Sequence, residues 1–288
     1  MYKALSPGAI GVRPAGLREA AALAVRFGFQ GIECNVREVA QLVSEEGAEA
    51  IGQLFASAGV RPAGFGLPVD WRGAEESWRK GLDELPRLAA AAAAVGLERC
   101  MTWIPPASDE RDYEASWRFH VERFRPAAAI LGEHGIRLGL EFIGPKTLRA
   151  GRRFPFIHTL RELLDLAAEI GPNVGVLLDS WHWYTSHGTL EELRALRAEQ
   201  VVYVHVNDAP PGIPIDEQID NVRALPGETG VIDIVGFLQA LEAISYDGPV
   251  TPEPFKKELR DLPADEDRLR VVSEALDQIF HRAGVVPR

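Results

Sequence analysis

Several short stretches of this chain are apolar at nearly every position rather than at every second one, most clearly Val174 to Leu178 and Val201 to Val206, the latter interrupted only by His205. A strand with one wet face alternates, whereas a strand buried on both faces does not. Such runs therefore belong to a parallel sheet covered by helices. Further strand-like runs lie at Tyr2 to Leu5, Gly31 to Val36, Val60 to Phe65, Arg99 to Ile104, Ile136 to Ile143 and Pro249 to Thr251. Helical patterns separate or follow them: Glu45 to Ala58, Glu75 to Val95, Tyr113 to His134, Thr159 to Ile170, Leu190 to Ala198, Asp233 to Ile244 and Ala264 to His281. Gly96 and Gly135 stand where helix C-cap glycines belong. Eight strands at about 36 residues per unit predict an α/β fold, a single (β/α)8 TIM barrel spanning residues 1–288 as one domain. An open doubly wound sheet fits less well. No Gly-x-Gly-x-x-Gly turn follows the first strand, and no phosphate loop occurs.

Charge and composition narrow the partners. Acidic residues outnumber basic ones, 42 to 31, for a formal net charge of −11. Nucleic acid is disfavoured as a partner, because neutralising phosphates needs clustered Lys and Arg. Two cysteines, Cys34 and Cys100, sit in apolar segments and are expected to be buried, reduced thiols. Met1 to Gly16 lacks the apolar core of a secretory leader, and Leu88 to Val95 falls well short of the ~20 residues that span a bilayer. A cytoplasmic protein with no membrane partner is the expectation, with a homo-oligomer left open.

Four successive strands break their own apolar rule. Glu141, Asp179, His205 and Glu253 lie at or near the carboxyl ends of strands five to eight. In a barrel those ends meet at one mouth. Taken singly, each has an ordinary explanation: a rim glutamate, an aspartate capping a turn, a satisfied interior histidine. Together on four neighbouring strands they form a mixed oxygen and nitrogen set. Three carboxylates repel one another unless protons or a cation neutralise them. One divalent metal ion is expected, Mn2+, Mg2+ or Co2+ ahead of Zn2+.

The segments Gly31-Ile32-Glu33, Leu138-Gly139-Leu140-Glu141-Phe142, Gly175-Val176-Leu177-Leu178-Asp179 with His182 beyond it, His205-Val206-Asn207-Asp208 and Pro226-Gly227-Glu228 run in this order through most of the chain. In that order they resemble the xylose isomerase-like TIM barrel superfamily, which holds sugar phosphate isomerases and epimerases, inosose isomerases, dehydratases and endonuclease IV. The resemblance implies that Glu141, Asp179, His205 and Glu253 are the metal ligands. It also implies that Glu141 and Glu253 are the catalytic pair exchanging a proton with the substrate, and that His182 contacts a substrate oxygen. Two positions depart from the epimerase pattern. Pro211 stands where an arginine is expected six residues beyond His205, and Gly227-Glu228-Thr229-Gly230 replaces Gly-Glu-Gly. Arg223, in the insertion Pro210 to Leu225, is a candidate substitute.

Trp103, Phe142, Trp181, Trp183 and Phe255 cluster near the same strand ends and are candidates for the walls of a small-molecule pocket. Lys146 is a candidate for reaching a substrate oxygen or phosphate, and Glu33 for orienting a ligand. The expected activity is that of an isomerase or epimerase of a keto-sugar, sugar phosphate or inosose, acting through a metal-stabilised enediolate. A dehydratase of an inosose or dehydroshikimate-like ketone is the alternative, since the same carbanion can expel a neighbouring hydroxyl. Endonuclease IV-like DNA repair is the most distant reading. Strands three and four carry no histidine for a metal cluster, and the chain is acidic.

Overall fold

Strands that are apolar on both faces require cover outside and packing inside, and closure into a barrel supplies both. The computed structural model describes residues 1–288 and contains such a closed barrel. Its strands are β1 (Tyr2–Leu5), β2 (Gly31–Glu33), β3 (Arg61–Gly66) and β4 (Arg99–Ile104). They continue with β5 (Arg137–Phe142), β6 (Val174–Asp179), β7 (Val201–Val206) and β8 (Pro249–Pro252). Every strand runs parallel to its neighbours, and β8 closes on β1.

The helices are α1 (Leu17–Arg26), α2 (Val36–Glu46), α3 (Ala48–Ala58), α4 (Glu75–Ala94), α5 (Tyr113–Glu133) and α6 (Leu160–Ile170). After them come α7 (Ser180–Thr185), α8 (Leu190–Arg194), α9 (Ile234–Ala243), α10 (Lys257–Arg260) and α11 (Asp265–Ala283). No helix is long and apolar enough to cross a membrane.

Some boundaries differ from the sequence pattern for local reasons. The second strand was expected to reach Val36 but ends at Glu33. The Asn35 side chain accepts from the N–H groups of Arg37 and Glu38 and caps α2, which occupies residues the pattern assigned in part to strand. The expected helix from Glu45 to Ala58 is the end of α2 followed by α3. Gly47, with a φ of 90°, breaks the chain between them. Leu190 to Ala198 is helical only as far as Arg194, before a single 3-10 turn at Ala198–Gln200. Cys34 and Cys100 are buried and unpaired, and burial pushes both thiols well above their usual range.

Side chains alternate along each strand, so every second residue enters the barrel. Tyr2, Ala4, Ala63, Met101, Leu177 and Tyr203 form a separate apolar cluster inside it. Tyr203 fills much of that space, with its hydroxyl 2.8 Å from Thr251 Oγ1. Gly64 makes room: a Cβ there would lie 2.8 Å from the Tyr203 ring. Two residues further along the same strands come Trp103, Asp179 and His205. Register then sets the neighbours, pairing Asp179 with His205, His205 with Thr251, and Trp103 with Glu141.

Loops above this layer are tied together. A short antiparallel pair, Ala107–Ser108 against Phe154–Pro155, joins the loop after β4 to the loop after β5. The buried Asp208 carboxylate accepts from the N–H groups of Thr229, Gly230 and Ile232, at 3.0, 2.8 and 2.9 Å, and so folds the Gly227–Gly230 turn back on β7.

Candidate metal centre and cavity

Each of β5, β6 and β7 carries one ionisable side chain near its carboxyl end, and β8 delivers Glu253 one residue beyond Pro252. Glu141, Asp179, His205 and Glu253 each offer one ligand atom, and these four atoms lie within 4.8 Å of one another. His205 Nδ1 is 3.4 Å from Glu253 Oε2 and 3.7 Å from Glu141 Oε1, while its Nε2 is 3.7 Å from Glu33 Oε1. Glu141 Oε1, His205 Nδ1 and Glu33 Oε1 are buried without a hydrogen-bond partner. An unpaired buried polar atom costs about 1–3 kcal/mol. A cation between Glu141 and His205 would remove that cost for both, so the donor set fits a divalent ion. This cluster could hold a metal.

The electrostatics follow from burial and crowding. Burial, reinforced by Glu253 and Asp179, pushes the Glu141 carboxyl up to about 7 against the opposing pull of His205. For His205, burial disfavours the charged ring, but the carboxylates of Glu253, Glu141 and Glu33 outweigh it and raise the imidazole well above its usual range. Asp179 moves the other way. Burial opposes its charge, yet Arg223 and the two histidines hold the carboxyl below its usual value. A cation entering this cluster must therefore displace protons from Glu141 and His205.

Asp179 is the most tightly held of the four. Its Oδ1 accepts the Trp181 N–H at 2.7 Å, capping α7, and Asn207 Nδ2 donates to the same carboxylate at 3.2 Å. Asn207 Oδ1 in turn accepts the Glu253 N–H at 2.9 Å, so one amide orients two of the four groups.

Arg223 reaches the cluster from the loop after β7. Its Nη1 donates to Asp179 Oδ2 at 2.8 Å and Glu253 Oε2 at 3.2 Å, and its Nη2 to Asp220 Oδ1 at 2.9 Å. The guanidinium lies over the rings of Phe255 and Trp181, at 4.9 and 5.4 Å from their centroids. It sits 3.2 Å from His182 Nε2. The Gly144 N–H lies 3.2 Å from His182 Nδ1, so both ring nitrogens face N–H groups. Burial lowers the His182 imidazole to about 4, so the ring is neutral at pH 7. Its Nε2 lies 4.0 Å from Glu141 Oε1.

A cavity of about 510 Å³ opens above the cluster, lined by Glu141, His182, Arg223 and Glu253 together with Trp103, Phe255 and Arg152. Asp179 and His205 lie beneath, buried and outside the lining. The aromatic residues divide. Trp103 and Phe255 line the cavity, whereas Phe142, Trp181 and Trp183 belong to the hydrophobic core between barrel and helices. Phe142 follows Glu141 by one residue and so faces the opposite side of β5. Lys146 is exposed, pairs with Asp216 at 2.7 Å, and is not a lining residue. Asn207, Asp220 and Arg152 had drawn no role in the sequence. Asn207 follows His205 by two and could have been found by alternation; no local signal marks the other two.

A (β/α)8 barrel with a mixed carboxylate and imidazole cluster at the carboxyl ends of its strands has that cluster where barrels of this kind keep their active sites. Residues 21–279 match the model of the xylose isomerase-like TIM barrel family, and the chain belongs to that family. A solved xylose isomerase domain protein from Alicyclobacillus acidocaldarius subsp. acidocaldarius superposes with a TM-score of 0.84, at 32% identity and 99% coverage of both chains. A solved IolI protein with a bound zinc atom gives a TM-score of 0.78 at 18% identity, covering 98% of this chain and 99% of that one. The inosose isomerase of Bacillus velezensis is 21% identical over 254 residues, 87% of each chain. A 3-dehydroshikimate dehydratase of Pseudomonas putida is 31% identical over 140 residues, 48% of this chain and 21% of its own length.

Proposed function

We propose that this chain is a metal-dependent isomerase or epimerase of a keto-sugar, sugar phosphate or inosose, with Glu141, Asp179, His205 and Glu253 as ligands. The observation that carries the reading is a division within the cluster. Glu141 and Glu253 face both the ligand centre and the cavity, whereas Asp179 and His205 lie buried beneath. Two carboxylates are thus available to a bound molecule as well as to a metal. When bound, a divalent ion would supply a Lewis acid that draws electron density from a carbonyl oxygen and so acidifies the neighbouring C–H.

The protein's own residues do the rest. One glutamate takes the proton from the carbon between carbonyl and hydroxyl, and the C–H electron pair moves toward the carbonyl. The other returns a proton to the carbon skeleton. The neutral His182 imidazole lines the cavity and contacts a substrate oxygen. Arg223 holds Glu253 and Asp179 in place, and Trp103 and Phe255 wall off water on the apolar side.

The test is exchange of substrate hydrogen for solvent deuterium over a panel of keto-sugars and inososes. General acid–base help of this kind is worth about 10²–10⁴-fold, and Glu141→Gln and Glu253→Gln are each expected to slow exchange by that much while retaining metal. Wild-type exchange rates in both variants would sink the assignment. A dehydratase is the second reading, favoured by the 31% identity to a dehydroshikimate dehydratase. Scoring water loss alongside exchange separates the two.

A further inference from the structure

The cavity has two guanidinium groups in its wall, and their bonding differs. Arg223 is buried with both terminal nitrogens committed to Asp179, Glu253 and Asp220. Arg152 is anchored through Nε alone, 3.1 Å from Asp109 Oδ1 and 3.0 Å from Oδ2. Asp109 is itself fixed by the Arg153 N–H at 3.0 Å. Neither terminal nitrogen of Arg152 bonds to the protein. The support is not a loose loop, because Phe154–Pro155 just beyond pairs with Ala107–Ser108, and the Phe156 N–H donates to Pro106 O at 2.8 Å. No hydrogen bond or ion pair joins Arg152 to the four-residue cluster. It stands where the cavity meets a second hollow of about 260 Å³, the two sharing Pro105, Ala107 and Arg152.

We infer that Arg152 reads an anionic terminus, a carboxylate or a phosphate, on the end of the substrate remote from the reacting carbonyl. The inference rests on the cavity being the substrate site proposed above and not on which reaction occurs there. A guanidinium held by Nε presents its two outer N–H groups as a planar fork, the geometry that receives two oxygens of one anion. The other charged groups lining the cavity are the carboxylates Glu141, Asp220 and Glu253, together with the committed Arg223. Arg152 is therefore the one cation there whose terminal N–H groups are uncommitted. The adjoining hollow gives room for a group wider than a hydroxyl. The role that Lys146 was a candidate for in the sequence passes to this residue.

Three probes share a carbonyl and vicinal hydroxyls and differ at the far carbon: D-fructose, D-fructuronate and D-fructose 6-phosphate. Their dissociation constants are to be measured by calorimetry on metal-loaded wild type, Arg152→Gln and Asp109→Asn, with deuterium exchange followed on the same samples. A half-exposed charged fork is expected to favour at least one anionic probe by about tenfold over fructose. In Arg152→Gln that preference should fall to within about twofold, and in Asp109→Asn it should weaken by less. Whichever anion wins in wild type identifies the group. Equal affinities in wild type, no binding by any probe, or a preference that survives Arg152→Gln would overturn the inference. An Arg152-dependent preference without deuterium exchange would leave it standing and count against the proposed reaction instead. Exchange on fructose with no anion preference would do the reverse.

Discussion

Two layers of the barrel interior lie two residues apart along the same strands and have opposite chemistry. The lower one, with Met101, Leu177 and Tyr203, is apolar and buried. The upper one, with Trp103, Asp179 and His205, continues those strands into the charged cluster. Backbone geometry is shared, so the difference is one of side chains and water. The lower layer seals the barrel and removes solvent from beneath the cluster. Burial is the first cause of the raised Glu141 carboxyl, and this layer lies beneath it.

Variants in the two layers should separate stability from metal affinity. Chelation is expected to have the largest effect, reducing exchange to background until a divalent ion is restored. Because Glu141 holds its proton up to about 7 and His205 is raised as well, apparent metal affinity should rise as pH increases through 7, with protons released on binding. Calorimetry in buffers of different ionisation enthalpy would show it, and a flat affinity from pH 6 to 8 would contradict it.

In the lower layer, Leu177→Ala should cost about 2–5 kcal/mol in urea unfolding, the range for a buried leucine, with metal stoichiometry unchanged. Lost metal in a folded Leu177→Ala protein would show that the layers are not separable. The smallest effect is expected for Tyr203→Phe, which removes the bond to Thr251 and should cost about 1 kcal/mol with no change in metal affinity.

Much of the fold was legible because buried parallel strands are short apolar runs, and Val174–Asp179 and Val201–Val206 appear in the barrel as read. Boundaries failed where one side chain or one glycine decided the matter, as at Asn35 and Gly47. The aromatic residues divide for two reasons: strand alternation turns Phe142 away, while Trp181 and Trp183 lie on α7, where tertiary packing sets their direction. Phe142 beside Glu141 had to face the helices. Arg152 was missed because its significance lies in what it does not bond to, and only neighbours brought from elsewhere in the chain reveal that.

By itself the sequence determined the eight-unit barrel and the ionisable residue at each of the last four strand ends, since both are written in local periodicity and spacing. Tertiary structure alone decided which of them face the cavity and which lie beneath. It also decided that Arg223 stands against Asp179, Glu253 and His182, and that Arg152 keeps a free fork while Lys146 is paired away. Strand register, loop pairing and burial act between residues tens of positions apart, and no local pattern encodes them.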